Sequence, residues 1–197
     1  WFIYNFLCNN FQKNNQQIFV LIGFSITVFL SYLLSQIYGS RAAYIHVGAI
    51  IGTLMAANVF RVIIPAQKNL VLAAKNNINP NLNLSMEAKN RSIHNNYFTL
   101  PVLFIMISSH FSFTYGNNFN WIILTIISLA GALTRHYFNL RNKQQYKVWI
   151  LPSAAMIMFV LMILTSLSVL EKKEKVVFSI NESLKFTEIN NIIKYRC

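Results

Sequence analysis

Long runs of apolar residues without charge, separated by short polar or basic segments, dominate this chain up to residue 170. A helix needs about 20 consecutive apolar residues to cross roughly 30 Å of hydrocarbon, so such runs predict membrane spans. Pro65 should end the second run, and Pro101 interrupts the third, whose apolar part is short. The pattern predicts an all-α polytopic transmembrane helix bundle with a short soluble tail at residues 171–197. About five spans are expected, at residues 18–37, 42–64, 97–113, 121–140 and 148–170.

Composition agrees with a membrane protein and narrows the function. Only 11% of the 197 residues are charged, whereas soluble domains carry about 25%. The chain has no Asp and only five Glu, which disfavours a pair of catalytic carboxylates. Its net charge of +12 comes from basic residues scattered at the ends of apolar runs. Basic residues flank membrane helices in this way, so no nucleic-acid partner is expected.

The distribution of Lys and Arg between the loops predicts an orientation. Cytoplasmic loops carry an excess of these residues, and the charge-free loop at 112–120 and the turn at Arg41 therefore belong outside. Five spans then place the tail in the periplasm of a bacterium, with the bundle in the inner membrane. The loops expected in the cytoplasm contain Lys13, Lys68, Lys75, Lys89, Arg91, Arg141, Lys143 and Lys147.

Polar residues inside the spans are the candidates for function, because ionisable groups are costly in a membrane. His46 and His110 lie toward the outer end. Gly48, Gly52 and Ala56, at four-residue spacing, predict a structural ridge for close helix packing. A second polar group is expected near the cytoplasmic end and comprises Asn58, Arg61, His94, Asn95, Asn96, Arg135, His136 and Asn139.

Each candidate also has a structural interpretation. Arg61 and Arg135 could be topology anchors that extend their charged ends to the interface. A histidine in an apolar span could simply donate a hydrogen bond to a helix carbonyl. All four histidines of the chain nevertheless lie in or beside the spans, and none lies in the tail. This distribution keeps the functional interpretation open for the whole set.

Several sequence blocks are similar to those of one known family. The membrane domain of the PuuD-type urate hydroxylases, the membrane-bound urate oxidases, is similar to this chain in several blocks. These are residues 46–53 (HVGAIIGT), 57–60 (ANVF), 63–65 (IIP), 91–92 (RS), 94–97 (HNNY), 99–101 (TLP) and His110. Residues 135–139 (RHYFN) form a further block. A weaker one consists of Trp1, Tyr4, Leu7 and Cys8. The resemblance covers most of the chain.

The resemblance implies that the intact protein oxidises urate to 5-hydroxyisourate. Water would supply the oxygen, and two electrons would leave through the c-type haem of a C-terminal cytochrome c domain toward respiratory acceptors. Urate is a planar monoanion with several N–H and C=O groups. Arginine suits a planar anion, asparagine donates and accepts, and histidine titrates near neutrality. His94 and His136 are the candidate proton acceptors, and Asn58, Arg61, Asn95, Asn96, Arg135 and Asn139 are the candidate urate ligands.

The tail fits the same family. Phe186, Ile189, Ile192, Ile193 and Tyr195 make an apolar helix face that leads to Cys197, which could be the first haem-binding cysteine of a cytochrome c domain. The chain stops there, and it begins at Trp1 without the further N-terminal spans of the family. It is therefore expected to be a fragment that is inactive alone, and whether a cofactor lies within the membrane stays open.

Two other classes of function remain as alternatives. His46 and His110 could be the axial ligands of a haem b in an electron-transfer module. Arg61 and Arg135 could instead line the path of an anion transporter.

Overall fold

The computed structural model describes residues 1–11, 15–117 and 119–183, and the side chains among them except those of 109 and 168–183. This part of the chain is helical, as the sequence predicts. A π-helical turn, Val59–Ile63, joins α3 to α4, and a 3₁₀ turn, Ser108–His110, follows α5. The α-helices are α1 (Phe2–Phe11), α2 (Gln16–Ile37), α3 (Ser40–Asn58), α4 (Ile64–Lys75), α5 (Leu82–Ile107), α6 (Ser112–Tyr115), α7 (Asn120–Asn142) and α8 (Ile150–Ser183).

Among the described residues, four helical segments are long and apolar enough to cross a membrane, one fewer than predicted. They are Gln16–Ile37, Ser40–Lys75, Asn120–Asn142 and Ile150–Leu167. Many of their large apolar side chains face outward, as Phe29 and Met156 do. An apolar surface of this extent is consistent with a multi-pass membrane protein.

The predicted span at residues 97–113 is not one of the four, which corrects the sequence prediction. Its apolar part belongs to α5, a single helix of 26 residues that begins at Leu82 and ends at Ile107. The first half of α5 carries Glu87, Lys89 and Arg91, so the helix as a whole is too polar to qualify. The charged half looked like a loop and a separate short helix in the sequence.

Pro65 does not end the second span, contrary to expectation. Proline lacks an N–H, and its ring collides with the carbonyl of residue i−4 in a regular α-helix. Here the π-helical turn comes immediately before it, and the Ile64 N–H donates to the Val59 carbonyl five residues back. The wider turn admits Pro65, and the chain continues as α4 to Lys75. Turns of this kind occur frequently at functional sites.

Helix α5 lies between α3 and α7 and runs antiparallel to both. Ile105 approaches Gly48 of α3 so closely that a Cβ at Gly48 would lie 2.6 Å from Ile105 Cγ2. This contact confirms one residue of the predicted small-residue ridge, whereas a Cβ at Gly52 would meet nothing within 4 Å. On the other side, Gly131 of α7 packs against Pro101. The core between these helices comprises Tyr44, Val47, Ile51, Ile105 and Leu124.

Helix α8 packs against α7 and extends past the predicted end of the last span. It continues to Ser183, so residues 171–183, expected to belong to a linker, are helical. The candidate haem cysteine, Cys197, and the apolar face that precedes it lie outside the described residues. The expected cytochrome c segment therefore stays a prediction.

Candidate functional site

Asn58, the last residue of α3, joins three parts of the chain through its side chain. It is fully buried. Its Nδ2 donates to Asn95 Oδ1 at 3.0 Å and to Tyr4 Oη at 3.3 Å, and its Oδ1 accepts from Trp1 Nε1 at 3.3 Å. The indole N–H can only donate, so this contact defines which end of the Asn58 amide faces Trp1. Asn95 Nδ2 donates in turn to the Met55 carbonyl at 3.0 Å.

His94 extends this set of hydrogen bonds along α5. Its Nδ1 lies 2.6 Å from Tyr4 Oη, and its ring stacks on Phe19 with the centroids 5.0 Å apart. Burial, with a smaller contribution from Arg91, lowers the pKa of His94 to about 4. The imidazole is thus neutral near pH 7 and can accept a proton. We call Trp1, Tyr4, Asn58, His94 and Asn95 the α1–α3–α5 network.

Arg91 lies one turn before His94 on α5 and is only 1% exposed. Its Nη2 donates to Asn5 Oδ1 at 2.6 Å, and Glu87 Oε1 is 3.4 Å away. The guanidinium carbon lies 5.0 Å from the centre of the Tyr4 ring, within the range of a cation–π contact. Nε and Nη1 of Arg91 are buried and have no hydrogen-bond partner.

Arg61 lies beside the network but is exposed. It belongs to the π-helical turn, and its guanidinium carbon is 4.9 Å from the Trp1 ring centroid and 5.6 Å from that of Phe2. Contacts of this kind anchor α1 against the end of α3. They are compatible with the interface anchor and with a ligand at the edge of the site.

The predicted residues of α7 lie apart from this network. Tyr97 Oη is 2.7 Å from His136 Nδ1, and the two rings stack at 6.1 Å. Arg135 and Asn139 are half-buried, and Arg135 Nε and Asn139 Nδ2 are buried without a partner. Within the described chain, no hydrogen bond or ring contact links these α7 residues to the α1–α3–α5 network.

The predicted inner cluster therefore consists of two groups on different sides of α5. One group, which contains Asn58, His94 and Asn95, lies where α5 meets α1 and α3. The other, which contains His136, lies where α5 meets α7. Asn96 is half-buried and lies on α5 between Asn95 of the first group and Tyr97, which contacts His136 of the second.

The two outer histidines are both exposed. His46 Nδ1 hydrogen-bonds the Ala42 carbonyl at 2.7 Å, and its ring stacks on Tyr38 at 4.5 Å. The structural interpretation of His46 predicted such a carbonyl contact, and the cofactor role of His46 and His110 stays a prediction. Of the described residues, no group of three or more His, Cys, Asp or Glu could hold a metal ion.

Sequence reasoning did not assign Tyr4, Asn5 or Arg91 to the site. Arg91 was counted as a loop charge, although its spacing from His94 and Asn95 (i, i+3, i+4) is that of one helix face. Helix α1 also contributes Cys8, which is buried. Burial raises the pKa of the Cys8 thiol, so the group is an uncharged packing partner here.

Comparison with known proteins identifies a family. The model of a family described as "Urate oxidase N-terminal" matches residues 1–166, which include every predicted site residue except Cys197. No curated protein matches the chain, and neither does any solved structure.

Proposed function

Since this chain belongs to the urate oxidase N-terminal family, we propose that it is the membrane part of an oxidoreductase that acts on urate. The proposed reaction adds water to urate and releases two protons and two electrons, which gives 5-hydroxyisourate. The single observation that carries the proposal is the α1–α3–α5 network around the fully buried Asn58, which lies wholly within the stretch that the family covers.

The residues of this network suit urate in three ways. Asn58 and Asn95 present amide groups that can pair with the N–H and C=O edges of a purine, once ligand contacts replace their present ones. Arg61 lies at the border of the network and offers paired donors to a planar anion. His94 is neutral at pH 7, and an anion bound beside it would raise its lowered pKa and so enable it to take a proton from urate or from the attacking water.

Tyr4 connects these groups to one another. Its hydroxyl oxygen accepts from Asn58, which leaves its own proton free to donate to His94 Nδ1. A hydrogen-bonded chain of this kind can move a proton between the site and the imidazole. Tyr4 therefore holds the His94 ring in one orientation, while Phe19 covers its face.

The two electrons need an acceptor, and we propose a c-type haem attached near Cys197. When bound, such a haem takes up one electron at a time. Cys197 lies outside the described residues, so no contact of this group is assigned. We further propose that the bundle lies in the inner membrane of a bacterium with its tail in the periplasm. Respiratory proteins would be the next electron acceptors.

The test is the anaerobic addition of urate to membranes that contain the intact protein. We expect the haem absorption bands to change to those of the reduced form while 5-hydroxyisourate appears. A haem that stays oxidised beside folded protein would remove the proposal. Haem b in the isolated bundle would then favour the electron-transfer module, and urate uptake into vesicles without oxidation would favour the transporter.

A further inference from the structure

Arg91 is the most deeply buried charged side chain in the described part of the structure, at 1% exposure. Its neighbours account for one nitrogen only. Nη2 meets Asn5 Oδ1 at 2.6 Å and Glu87 Oε1 at the longer distance of 3.4 Å. The Glu87 side chain is 44% exposed, so solvent weakens its attraction for the guanidinium.

Two donors of Arg91 remain unused. Nε and Nη1 are both buried without a partner. A buried charge is costly unless it is paired and its donors are satisfied. If Arg91 only held α1 in place, Nη2 and the contact with the Tyr4 ring would be enough. Such a role does not explain why Nε and Nη1 of Arg91 are buried without a partner. These two nitrogens are therefore available to donate to an anion.

The position of Arg91 connects it to the proposed reaction. Arg91, His94 and Asn95 follow the i, i+3, i+4 spacing and lie on one face of α5. Tyr4 touches two of them, because its ring lies 5.0 Å from the Arg91 guanidinium and its hydroxyl lies 2.6 Å from His94. A planar anion held by Arg91 would therefore lie within one helical turn of the neutral imidazole.

The other two candidate arginines, Arg61 and Arg135, are less suited to this role. Arg61 is exposed and occupied by the rings of Trp1 and Phe2. Arg135 is half-buried on α7, where no described hydrogen bond reaches the α1–α3–α5 network. We therefore propose that Arg91 is the residue that binds the negative charge of the substrate, a planar monoanion, through Nε and Nη1. This inference rests on the proposed function insofar as the anion is urate.

The test measures binding of urate to the intact, detergent-solubilised protein by calorimetry. Arg91→Lys keeps the charge but loses the planar set of donors, and we expect it to weaken urate binding ten- to a hundredfold. The exposed Arg41→Gln and Arg141→Gln serve as matched variants and should bind urate within about threefold of the wild type. Wild-type affinity in a folded Arg91→Lys variant would overturn the proposal.

A second measurement covers the case in which Arg91 variants do not fold. In wild-type protein labelled with ¹⁵N-arginine, the Nε–H signal of a buried arginine is protected from exchange and can be followed by NMR. Saturating urate should shift one such protected signal, while the signals of exposed arginines outside the proposed site, Arg41 and Arg141, stay unchanged. If urate binds and no protected signal moves, Arg91 does not hold the anion, although the proposed function stands.

Failure of the proposed function gives a different result. If urate is neither bound nor oxidised, the same spectra are recorded with nitrate and with benzoate, two other planar monoanions. A shift of the protected signal by either would keep the anion site and reject urate as its ligand. No shift with any of the three anions would overturn the site as well.

Discussion

Replacing Asn58 by alanine should weaken the attachment of α1 to α3 and α5. The Asn58 side chain is fully buried and makes three hydrogen bonds, to Trp1, Tyr4 and Asn95. A typical hydrogen bond contributes about 0.5–1.5 kcal/mol net, so loss of the three should lower the free energy of unfolding by roughly 1.5–4.5 kcal/mol. The upper half of that range applies if the groups that bonded Asn58 find neither water nor another partner.

The assay is equilibrium unfolding in mixed micelles, followed by tryptophan fluorescence, in parallel with the rate of urate oxidation by the intact protein. Asn9→Ala is the matched control, because Asn9 is an exposed asparagine on α1, the short helix that Asn58 contacts. It should change the free energy of unfolding by less than about 0.5 kcal/mol. Asn58→Ala should also lower the oxidation rate at least tenfold, because Tyr4 and His94 lose their alignment.

Two results would refute this reasoning. If Asn58→Ala unfolds like Asn9→Ala, the network does not contribute to stability, and the hydrogen bonds of Asn58 do not form in the membrane. If it is destabilised as expected but oxidises urate at the wild-type rate, the network holds the fold and another group of residues carries the chemistry. The group around Tyr97 and His136 would then be the next candidate.

Three further predictions concern pH, packing and topology. The pKa of His94 is about 4 in the folded chain and ordinarily about 6.5. The free energy of unfolding should therefore be level above pH 6.5 and fall as the pH drops from 6.5 toward 4. If the free energy of unfolding of His94→Gln falls as steeply over that pH range as that of the wild type, His94 is not the cause. Gly48→Val should lower the free energy of unfolding by about 1–3 kcal/mol through overpacking against Ile105, whereas Gly52→Val should leave it nearly unchanged. Equal melting temperatures of the two variants would contradict the packing of α3 against α5. A reporter fused after Leu170 should be active only in the periplasm, and one fused within residues 76–83 only in the cytoplasm. The reason is that α5, antiparallel to α3, returns the chain from the level of Asn58 to the level of Tyr44. The reverse pattern, or activity of both reporters in the cytoplasm, would exclude the orientation.

Four apolar segments could be predicted from the sequence because hydrophobic length alone defines them. Helix α5 could not, since its first half is charged and its position between α3 and α7 depends on contacts with those helices. Arg91 is covered by Asn5 and Tyr4 of α1, which lie 86 or more residues away in the chain. A pattern read along the chain contains no information about a contact at that separation.

The two prolines show a second limit of sequence reasoning. Pro65 and Pro101 were both expected to break helices, and both lie within continuous ones. At Pro65 the preceding π-helical turn makes room for the ring. At Pro101 the ring is buried against Gly131 of the neighbouring helix, so packing offsets the lost hydrogen bond.

Three of the five residues of the α1–α3–α5 network could be predicted, and the reason lies in their residue types. Asn58, His94 and Asn95 stand out as polar residues in or beside apolar runs, where burial has a high cost. Trp1 and Tyr4 do not, because aromatic residues are common at the ends of membrane helices. Tyr4 meets His94 across 90 residues of sequence. Only the folded arrangement reveals that bond.

Isotopic labelling of the product tests the central claim most directly. The intact protein is given urate in H₂¹⁸O without oxygen, and the 5-hydroxyisourate formed is analysed by mass spectrometry while the reduced acceptor is counted. The account predicts one labelled oxygen and two electrons for each product molecule, with the rate reduced at least tenfold in Asn58→Ala. Product that forms only with O₂, or that carries no label, would contradict it.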